Sequence, residues 1–180
     1  MFNKIIDSPL VKVPARYGAI AALLCMSFLA FLFYMGKHPF LISPFFDFRL
    51  PLFGLLLFFS LKEIRDYYQD GVLFFLHGLL SCLIFTLVFA FIMAFLIWIF
   101  CQAQPAFVSR YIAAALEQFE AIPPEMLERI GKAELERNLN ALPGTRAVDL
   151  AIDYFAKSFI MSFFISVIIS VILRQQPKPE

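Results

Sequence analysis

Residues 72–100 form a continuous stretch without a charged side chain. As an α-helix rising 1.5 Å per residue, this stretch would be about 43 Å long, more than the roughly 30 Å hydrocarbon core of a bilayer requires. The whole chain is 61% hydrophobic and 16% charged, whereas soluble domains average about half and about a quarter. The sequence therefore predicts an all-α integral membrane protein, with one transmembrane helix at residues 73–100.

A short charged segment, residues 61–71, separates this stretch from an earlier apolar block. Two apolar blocks with so few polar residues between them are typical of two membrane spans joined by a tight turn. We place the earlier span at residues 48–64, although its uncharged part is short for a bilayer. The span reaches the required length if its charged ends lie at the two interfaces, with Asp47 and Arg49 at one end and Lys62 and Arg65 at the other.

Two further apolar segments complete a predicted set of four transmembrane helices. The first span is residues 17–36, which is longer than the hydrophobic region of a cleaved signal peptide, about 7–15 residues. The last span is residues 154–173. Between helices 3 and 4, residues 102–153 form an extramembrane helical insert. We interpret residues 1–180 as a single membrane domain.

Prolines and glycines predict the shorter elements of the chain. Two prolines within residues 1–16 indicate an irregular lead-in before the first span. In the insert, apolar residues recur at spacings of three and four over residues 107–122, which predicts an amphipathic helix that ends at Pro123. We expect Gly131 to break the segment that follows and Thr145 to cap the last helix.

The distribution of basic residues predicts the orientation of the protein. Lys and Arg in short loops mark the cytoplasmic side of a membrane protein. The short connection between the first two spans has Lys37 and Arg49. The segments expected on the opposite side contain more basic residues: Lys4, Lys12, Arg16, Lys62, Arg65, Arg174 and Lys178. We therefore expect both termini in the cytoplasm and the insert outside it.

The charged turn is the first candidate for a binding role. Its basic residues Lys62 and Arg65 could contact anionic lipid headgroups, and Tyr67 and Tyr68 are of the type that anchors a protein at the interface. Lys62 and Asp66 are spaced to form an ordinary surface ion pair instead. A few residues further on, His77 is predicted to be a hydrogen-bonding residue near the headgroups rather than a proton carrier. We favour anchoring over specific recognition for this segment.

A row of serines is the second candidate. Ser158, Ser162, Ser166 and Ser170 recur at every fourth residue of the last span. Small residues at this spacing allow two helices to approach closely in lipid, and their hydroxyls can bond across the interface. The alternative is that each serine donates to the carbonyl of its own helix four residues earlier. We favour packing against another span.

The sequence contains no recognisable catalytic, cofactor or metal motif. There is no nucleophile–base set, no pair of carboxylates within a span and no Gly-rich phosphate loop. The cysteines Cys25, Cys82 and Cys101 are too far apart for a typical zinc or disulfide pattern. The net charge of +1 gives no indication of a nucleic-acid partner. We expect no enzymatic activity, cofactor or metal.

The charged turn also resembles a known family. Lys62-Glu63-Ile64-Arg65-Asp66, followed by Gly71 and Gly78, resembles the hairpin motif of the bacterial four-span membrane family catalogued as domain of unknown function four-one-nine-nine. Arg16-Tyr17-Gly18 is similar too, as is an acidic helical insert before the last span. The resemblance implies the inner membrane of Gram-negative bacteria, but no activity. Leu76-His77 departs from the family pattern, in which polar residues are more usual.

Three functions are compatible with these predictions. The first is a non-enzymatic scaffold or accessory subunit of a membrane complex, with membrane lipids and either a membrane-protein partner or a second copy as its contacts. The second is a small oligomeric transporter or channel. The third is an accessory to an enzyme that modifies lipids or transfers sugars to or from lipid carriers. Transport would be supported if Asp47, Arg49 and His77 faced one cavity, and a lipid role if a pocket lay at Lys62 and Arg65.

Overall fold

The structure, a computed structural model, describes residues 8–42, 47–121 and 132–175. Over these residues the chain is helical and has no strand. The α-helices are α1 (Pro9–Tyr34), α2 (Arg49–Glu63), α3 (Phe75–Ala103), α4 (Ala106–Glu120), α5 (Lys132–Ala141) and α6 (Ala147–Leu173). Single 3₁₀ turns occur at Pro39–Leu41 and Leu142–Gly144, and a π-helical turn at Ile64–Tyr68 extends α2.

Three of these helices, α1, α3 and α6, are long and apolar enough to cross a membrane. Their length and composition support the predicted class, a helical membrane protein. Helix α2 does not meet the same criterion, because it has 15 residues where a span normally needs about 20. A fourth crossing by α2 therefore stays a prediction.

Helices α1, α3, α6 and α2 pack around a common core. Helix α3 contacts α1 on one side and α6 on the other, and α2 contacts both α1 and α6. The largest side chains fully buried between them are aromatic and aliphatic: Phe53, Phe85, Phe89, Leu29, Leu57 and Met93. Other apolar side chains, such as Phe91, Phe164 and Ile172, point away from the core and are more than half exposed. This is the pattern expected of a bundle whose outer surface faces lipid.

The prediction of an irregular lead-in before the first span is wrong for Pro9–Arg16, which belongs to α1. Pro9 occupies the first turn, where its missing N–H costs nothing, and the Ser8 side chain caps the helix by accepting from Leu10 N–H at 3.3 Å. Pro14 cannot donate to the carbonyl of Leu10. The hydroxyl of Ser81 on α3 donates to that carbonyl at 3.2 Å instead.

Helices α1 and α3 approach closely at Gly18. A Cβ atom at this position would lie 2.6 Å from the carbonyl oxygen of Phe85, which is inside the contact distance of the two atoms. Only glycine therefore permits this backbone separation. In α2, by contrast, a Cβ atom on Gly54 would meet nothing within 4 Å.

The charged segment between α2 and α3 forms a compact turn. The π-helical turn ends at Tyr68, and the chain reverses through Asp70 and Gly71, whose φ angles are 49° and 80°. Leu73 then exchanges backbone hydrogen bonds of 2.9 and 3.0 Å with Gln175, just beyond α6. The end of the described chain is thus fixed to the turn.

The insert packs on the opposite end of the bundle through Phe107 of α4. Its ring lies 5.2 Å from Phe33 and 5.3 Å from Phe100, between the ends of α1 and α3. His38 is 4.5 Å from the same ring, and one ring nitrogen of His38 is 3.1 Å from the carbonyl oxygen of Phe107. The other ring nitrogen accepts from Phe40 N–H at 3.4 Å, so Nε2 of His38 is the donor to Phe107.

The predicted helix over residues 107–122 corresponds to α4. The start of the last helix, however, differs from the predicted cap at Thr145. The hydroxyl of Thr145 donates to the carbonyl of Leu142, and helix α6 begins at Ala147. The capping carboxylate is that of Asp149, which accepts from Arg146 N–H at 2.8 Å. The predicted helix end at Pro123 and break at Gly131 lie outside the described residues.

Candidate functional site

Among the described residues, the buried side chain with the most hydrogen bonds is that of Arg49, at the start of α2. Its Nε atom donates to both carboxylate oxygens of Asp47, at 2.9 and 2.8 Å. One terminal nitrogen also donates to Asp47, and the other donates to the hydroxyl of Ser158 on α6 at 3.0 Å. The guanidinium lies 4.5 Å from the centre of the Tyr154 ring. We call Asp47, Arg49, Tyr154 and Ser158 the Arg49 cluster.

The Arg49 cluster is buried. Arg49 is 9% exposed, Tyr154 4% and Ser158 0%. Asp47 also accepts the backbone N–H of Arg49 at 2.9 Å, so one carboxylate both orders the start of α2 and compensates the buried charge. Because an unpaired buried charge is very unfavourable, these contacts are what allows an arginine at this position.

A cavity of about 790 Å³ opens beside the Arg49 cluster, between the start of α2 and the first half of α6. On α6, Asp153 and Lys157 form an ion pair of 2.7 Å in its wall. One turn further along α6 the wall becomes apolar, at Ile160 and Met161. A third, apolar wall is formed by Pro39, Phe40, Leu41 and Ile42, and Gln118 of α4 completes the lining. Along α6, the wall therefore changes from charged to apolar in the direction of the bundle centre.

The predicted serine row is buried and faces two different helices. Ser158 contacts Arg49 of α2, as described above. Ser162 shares a short hydrogen bond with Thr86 of α3, and the hydroxyl of Ser170 lies 3.8 Å from the sulfur of Cys82. A Cβ atom on Gly78 would lie 3.2 Å from the same Ser170 hydroxyl. Ser166 is buried as well, with 3% exposure.

The charged turn lines a second cavity, of about 650 Å³, at the other end of the bundle. Lys62, Tyr67 and Tyr68 contribute to its wall, together with Tyr17, Glu63 and Asp66. Arg65 is not part of this wall. It donates to Asp66 at 2.7 Å, so Asp66 pairs with Arg65 and not, as the spacing suggested, with Lys62. The Arg65 guanidinium lowers the pKa of the Asp66 carboxyl below its ordinary value.

His77 lies near this turn but contacts different residues. One ring nitrogen is 3.4 Å from the side-chain nitrogen of Gln69, and the ring meets that of Phe74 edge to face at 5.5 Å. His77 lines a smaller cavity with Leu76 and Arg174. It therefore does not share a cavity with Asp47 and Arg49.

The two sets of predicted residues lie at opposite ends of α2. Arg49 marks one end, and Glu63 marks the other, where both its oxygens accept from Arg16 at 2.7 Å and one accepts from the Tyr17 hydroxyl at 3.0 Å. The serine row continues from the Arg49 cluster toward the end at which Gln175 meets Leu73.

Several residues of the Arg49 cavity were not predicted from the sequence. Asp47 and Arg49 were predicted to lie at an interface, and no role was predicted for Tyr154, Asp153 or Lys157. The spacing of Asp153 and Lys157 places both on one helix face and could have indicated a polar site. The first serine of the row, Ser158, follows Lys157 directly and could have indicated the same site. The contact between Arg49 and Ser158 could not be predicted in this way, because it joins residues 109 positions apart.

Within the part of the chain that the structure describes, no group of three or more His, Cys, Asp or Glu side chains could hold a metal ion.

Comparison with known proteins adds a family but no described activity. Neither the curated proteins nor the solved structures include a match to this chain. One family model matches residues 16–175, which is most of the sequence. The chain therefore belongs to the family described as Protein of unknown function (DUF4199).

Proposed function

We propose that this chain is a multi-pass protein of the bacterial inner membrane that acts by association, as a scaffold or accessory subunit of a membrane complex, and not as an enzyme. The observation that carries this proposal is that polar side chains within the bundle contact polar side chains of other helices. Arg49 is bonded to Asp47 and Ser158, Ser162 to Thr86, and Ser170 lies against Cys82. Polar groups engaged in this way hold helices together, whereas transport pathways are marked by ionisable groups that line a water-filled cavity.

The proposed topology has four crossings, with both termini in the cytoplasm. Helix α2 and its π-helical turn run from the Arg49 cluster at one end of the bundle to the Glu63 pair at the other. Its inner face is buried at Phe53 and Leu57, whereas Leu55 on the outer face is 55% exposed. An inner buried face and an outer apolar face support a fourth span that is short and polar at both ends.

The separation of the two predicted polar sets weakens the transport alternative. Transport would be supported by Asp47, Arg49 and His77 in one cavity, but His77 lines a different cavity. The third alternative, an accessory role in lipid or lipid-linked sugar metabolism, keeps partial support. Lys62 lines a cavity at the charged turn, although Arg65 does not.

The insert offers a surface on which a partner could bind. Helix α4 packs on the bundle through Phe107 and also buries Ala115, while Ala113 and Glu117 are exposed. Phe164 on the outer face of α6 offers a second, apolar surface with 64% exposure. A partner that acts on the extramembrane side would contact the first surface, and one that acts within the membrane would contact the second.

Site-specific photocrosslinking in native membranes tests the proposal. A photoreactive amino acid replaces Ala113 in one variant and Phe164 in another, and the adducts are identified by mass spectrometry. We expect a discrete protein adduct from at least one of these positions, in a stoichiometric complex after detergent extraction. The control replaces Leu57, which is fully buried and should give no intermolecular adduct.

A monodisperse monomer in mild detergent, without a protein adduct from either exposed position, would contradict the proposal. So would an equal yield of the same adduct from Leu57, because that result would show non-specific labelling.

A further inference from the structure

The cavity beside the Arg49 cluster has the construction of a lipid site. We propose that it binds one zwitterionic phospholipid, with the headgroup between Asp153, Lys157 and the Arg49 cluster and the start of an acyl chain along Leu50, Ile160 and Met161. This site is separate from the charged turn, which lies at the other end of α2. It does not depend on the proposed role as a scaffold.

The polarity of the cavity wall matches an amphiphile. Along α6, the ion pair Asp153–Lys157 is followed within one turn by Ile160 and Met161 in the same wall. On α2, the paired Arg49 is followed by Leu50. Along both helices the wall thus changes from charged to apolar in the direction of the bundle centre, while the connection between α1 and α2 adds the apolar residues Pro39, Phe40, Leu41 and Ile42. Lipid headgroups and acyl chains meet in the same order at a membrane interface.

The site is accessible from outside the bundle. The side chain of Lys157 is 56% exposed and that of Asp153 is 43% exposed. Ile160 is 61% exposed and Leu50 38%, so the apolar end of the cavity opens sideways, where acyl chains lie. The volume of about 790 Å³ lies within the range of roughly 300–1,000 Å³ typical of ligand sites.

The charges of the cavity favour a headgroup that carries both signs. The wall has two cations, Arg49 and Lys157, and two anions, Asp47 and Asp153. A net-anionic headgroup would bring one negative charge into a neutral site without a partner. A zwitterionic headgroup can place its phosphate against Lys157 and its ammonium against Asp153, which replaces one ion pair by two.

Lipid retention measured on the full-length protein tests this inference. The protein is reconstituted in nanodiscs that contain equal amounts of phosphatidylethanolamine and phosphatidylglycerol with identical acyl chains. The lipids that remain bound after release from the disc are counted by native mass spectrometry. We expect the wild type to retain phosphatidylethanolamine in preference to phosphatidylglycerol, with one molecule per chain.

Asp153→Asn removes the proposed ammonium partner and leaves the cavity with a net positive charge. We expect this change to shift the ratio of retained lipids toward phosphatidylglycerol about threefold to fivefold, the range that one partly exposed ion pair supports. Lys157→Gln should reduce the retention of both lipids, because both headgroups have a phosphate.

The matched control is Asp149→Asn, which makes the same change of charge one turn earlier on α6. Asp149 pairs with Arg146 and is not part of the cavity wall. The amide can still accept from Arg146 N–H, so the start of the helix is preserved, and the lipid ratio should equal that of the wild type.

Photoreactive phosphatidylethanolamine with a diazirine near the start of one acyl chain provides an independent measurement. We expect labelled peptides to contain Leu50, Ile160 or Met161. The inference is overturned if the wild type prefers phosphatidylglycerol, if Asp153→Asn leaves the ratio unchanged, if Asp149→Asn shifts it equally, or if the label falls on the outer faces of the bundle only.

Discussion

The two ends of α2 are each joined to a neighbouring segment by an arginine–carboxylate pair, but the pairs differ in their surroundings. At the start of the helix, the side chains of Arg49 and Asp47 are 10% and 13% exposed. At its end, Arg16 is 57% exposed and Glu63 is 20% exposed. The two pairs therefore contribute differently to stability, although both join an arginine to a carboxylate. Removing one partner of a buried pair leaves an uncompensated charge, whereas an exposed pair is screened by solvent.

The largest expected effect is that of breaking the buried pair. Asp47→Asn leaves the Arg49 charge without its anion, and we expect the free energy of unfolding to fall by about 3 to 5 kcal/mol. Reversible unfolding in mixed micelles, followed by circular dichroism during titration with a denaturing detergent, measures the change.

The double variant Asp47→Asn with Arg49→Met is the control for this experiment. Removing both charges replaces a buried ion pair by apolar packing, which is often close to neutral. Most of the lost stability should therefore return. If the double variant is as unstable as the single one, the effect of Asp47 does not arise from the uncompensated charge.

Ser158→Ala tests the contact between Arg49 and α6. It removes the acceptor of one guanidinium nitrogen in a buried environment, and we expect a loss of about 1.5 to 3 kcal/mol in the same unfolding measurement. The control is Ser27→Ala on α1. The Ser27 hydroxyl is exposed and bonds to Leu23 of its own helix, so its removal should change stability by less than about 0.5 kcal/mol. Equal effects at the two serines would contradict the role assigned to Ser158.

The stability of the protein should also depend on pH through His38, which lies at the same end of the bundle as Arg49. Burial against Phe107 lowers the pKa of His38 from 6.5 to about 4, so the folded state favours the neutral ring. The stabilisation is present above pH 6.5 and is lost as the pH falls toward 4, because the unfolded chain binds the proton first. We expect a loss of about 1 kcal/mol over this range, less than the full shift implies, since the ring is partly exposed.

His38→Gln separates this effect from the titration of nearby groups. The charged residues Lys37, Arg110 and Glu117 line the same small cavity as His38 and remain in the variant. The difference in unfolding free energy between wild type and variant, measured at pH 7 and pH 4.5, should decrease as the pH falls. A difference that does not depend on pH would show that His38 does not titrate in this interval.

The smallest expected effect is at the exposed pair. Glu63→Gln should lower the free energy of unfolding by about 0 to 1 kcal/mol, and the loss should shrink as salt is added. Unfolding titrations at about 0.05 and about 0.5 M salt measure both quantities. A loss as large as that of Asp47→Asn would remove the distinction between the two ends of α2.

The sequence predicted the long helices well because their signal is local. Uncharged stretches such as residues 72–100 specify a helix by length and composition alone. The start of α1 was predicted wrongly because Pro14 suggests a helix break. The missing hydrogen bond is compensated by Ser81, a contact across 71 residues that no local pattern contains.

The candidate site was less predictable for the same reason. Arg49 was predicted to lie at an interface because the uncharged part of the second span is too short to cross a bilayer alone. Ser158 was recognised as a packing residue, but its bond to Arg49 depends on how α2 and α6 meet. The charged turn was conspicuous in the sequence, yet one of its ion pairs joins Glu63 to Arg16, and these residues come together only after α1 and α2 have packed.

The bond between Arg49 and Ser158 also has a consequence for the order in which the protein is made. Helix α2 leaves the ribosome long before α6, since Ser158 follows Arg49 by 109 residues. Until α6 arrives, Arg49 has only Asp47 as a partner, and a short helix with a charged end has little tendency to cross the bilayer alone. We therefore expect α2 to take up its final position last. Chains that end before α6 should be recognised by quality-control proteases, even though three of their four core helices are complete.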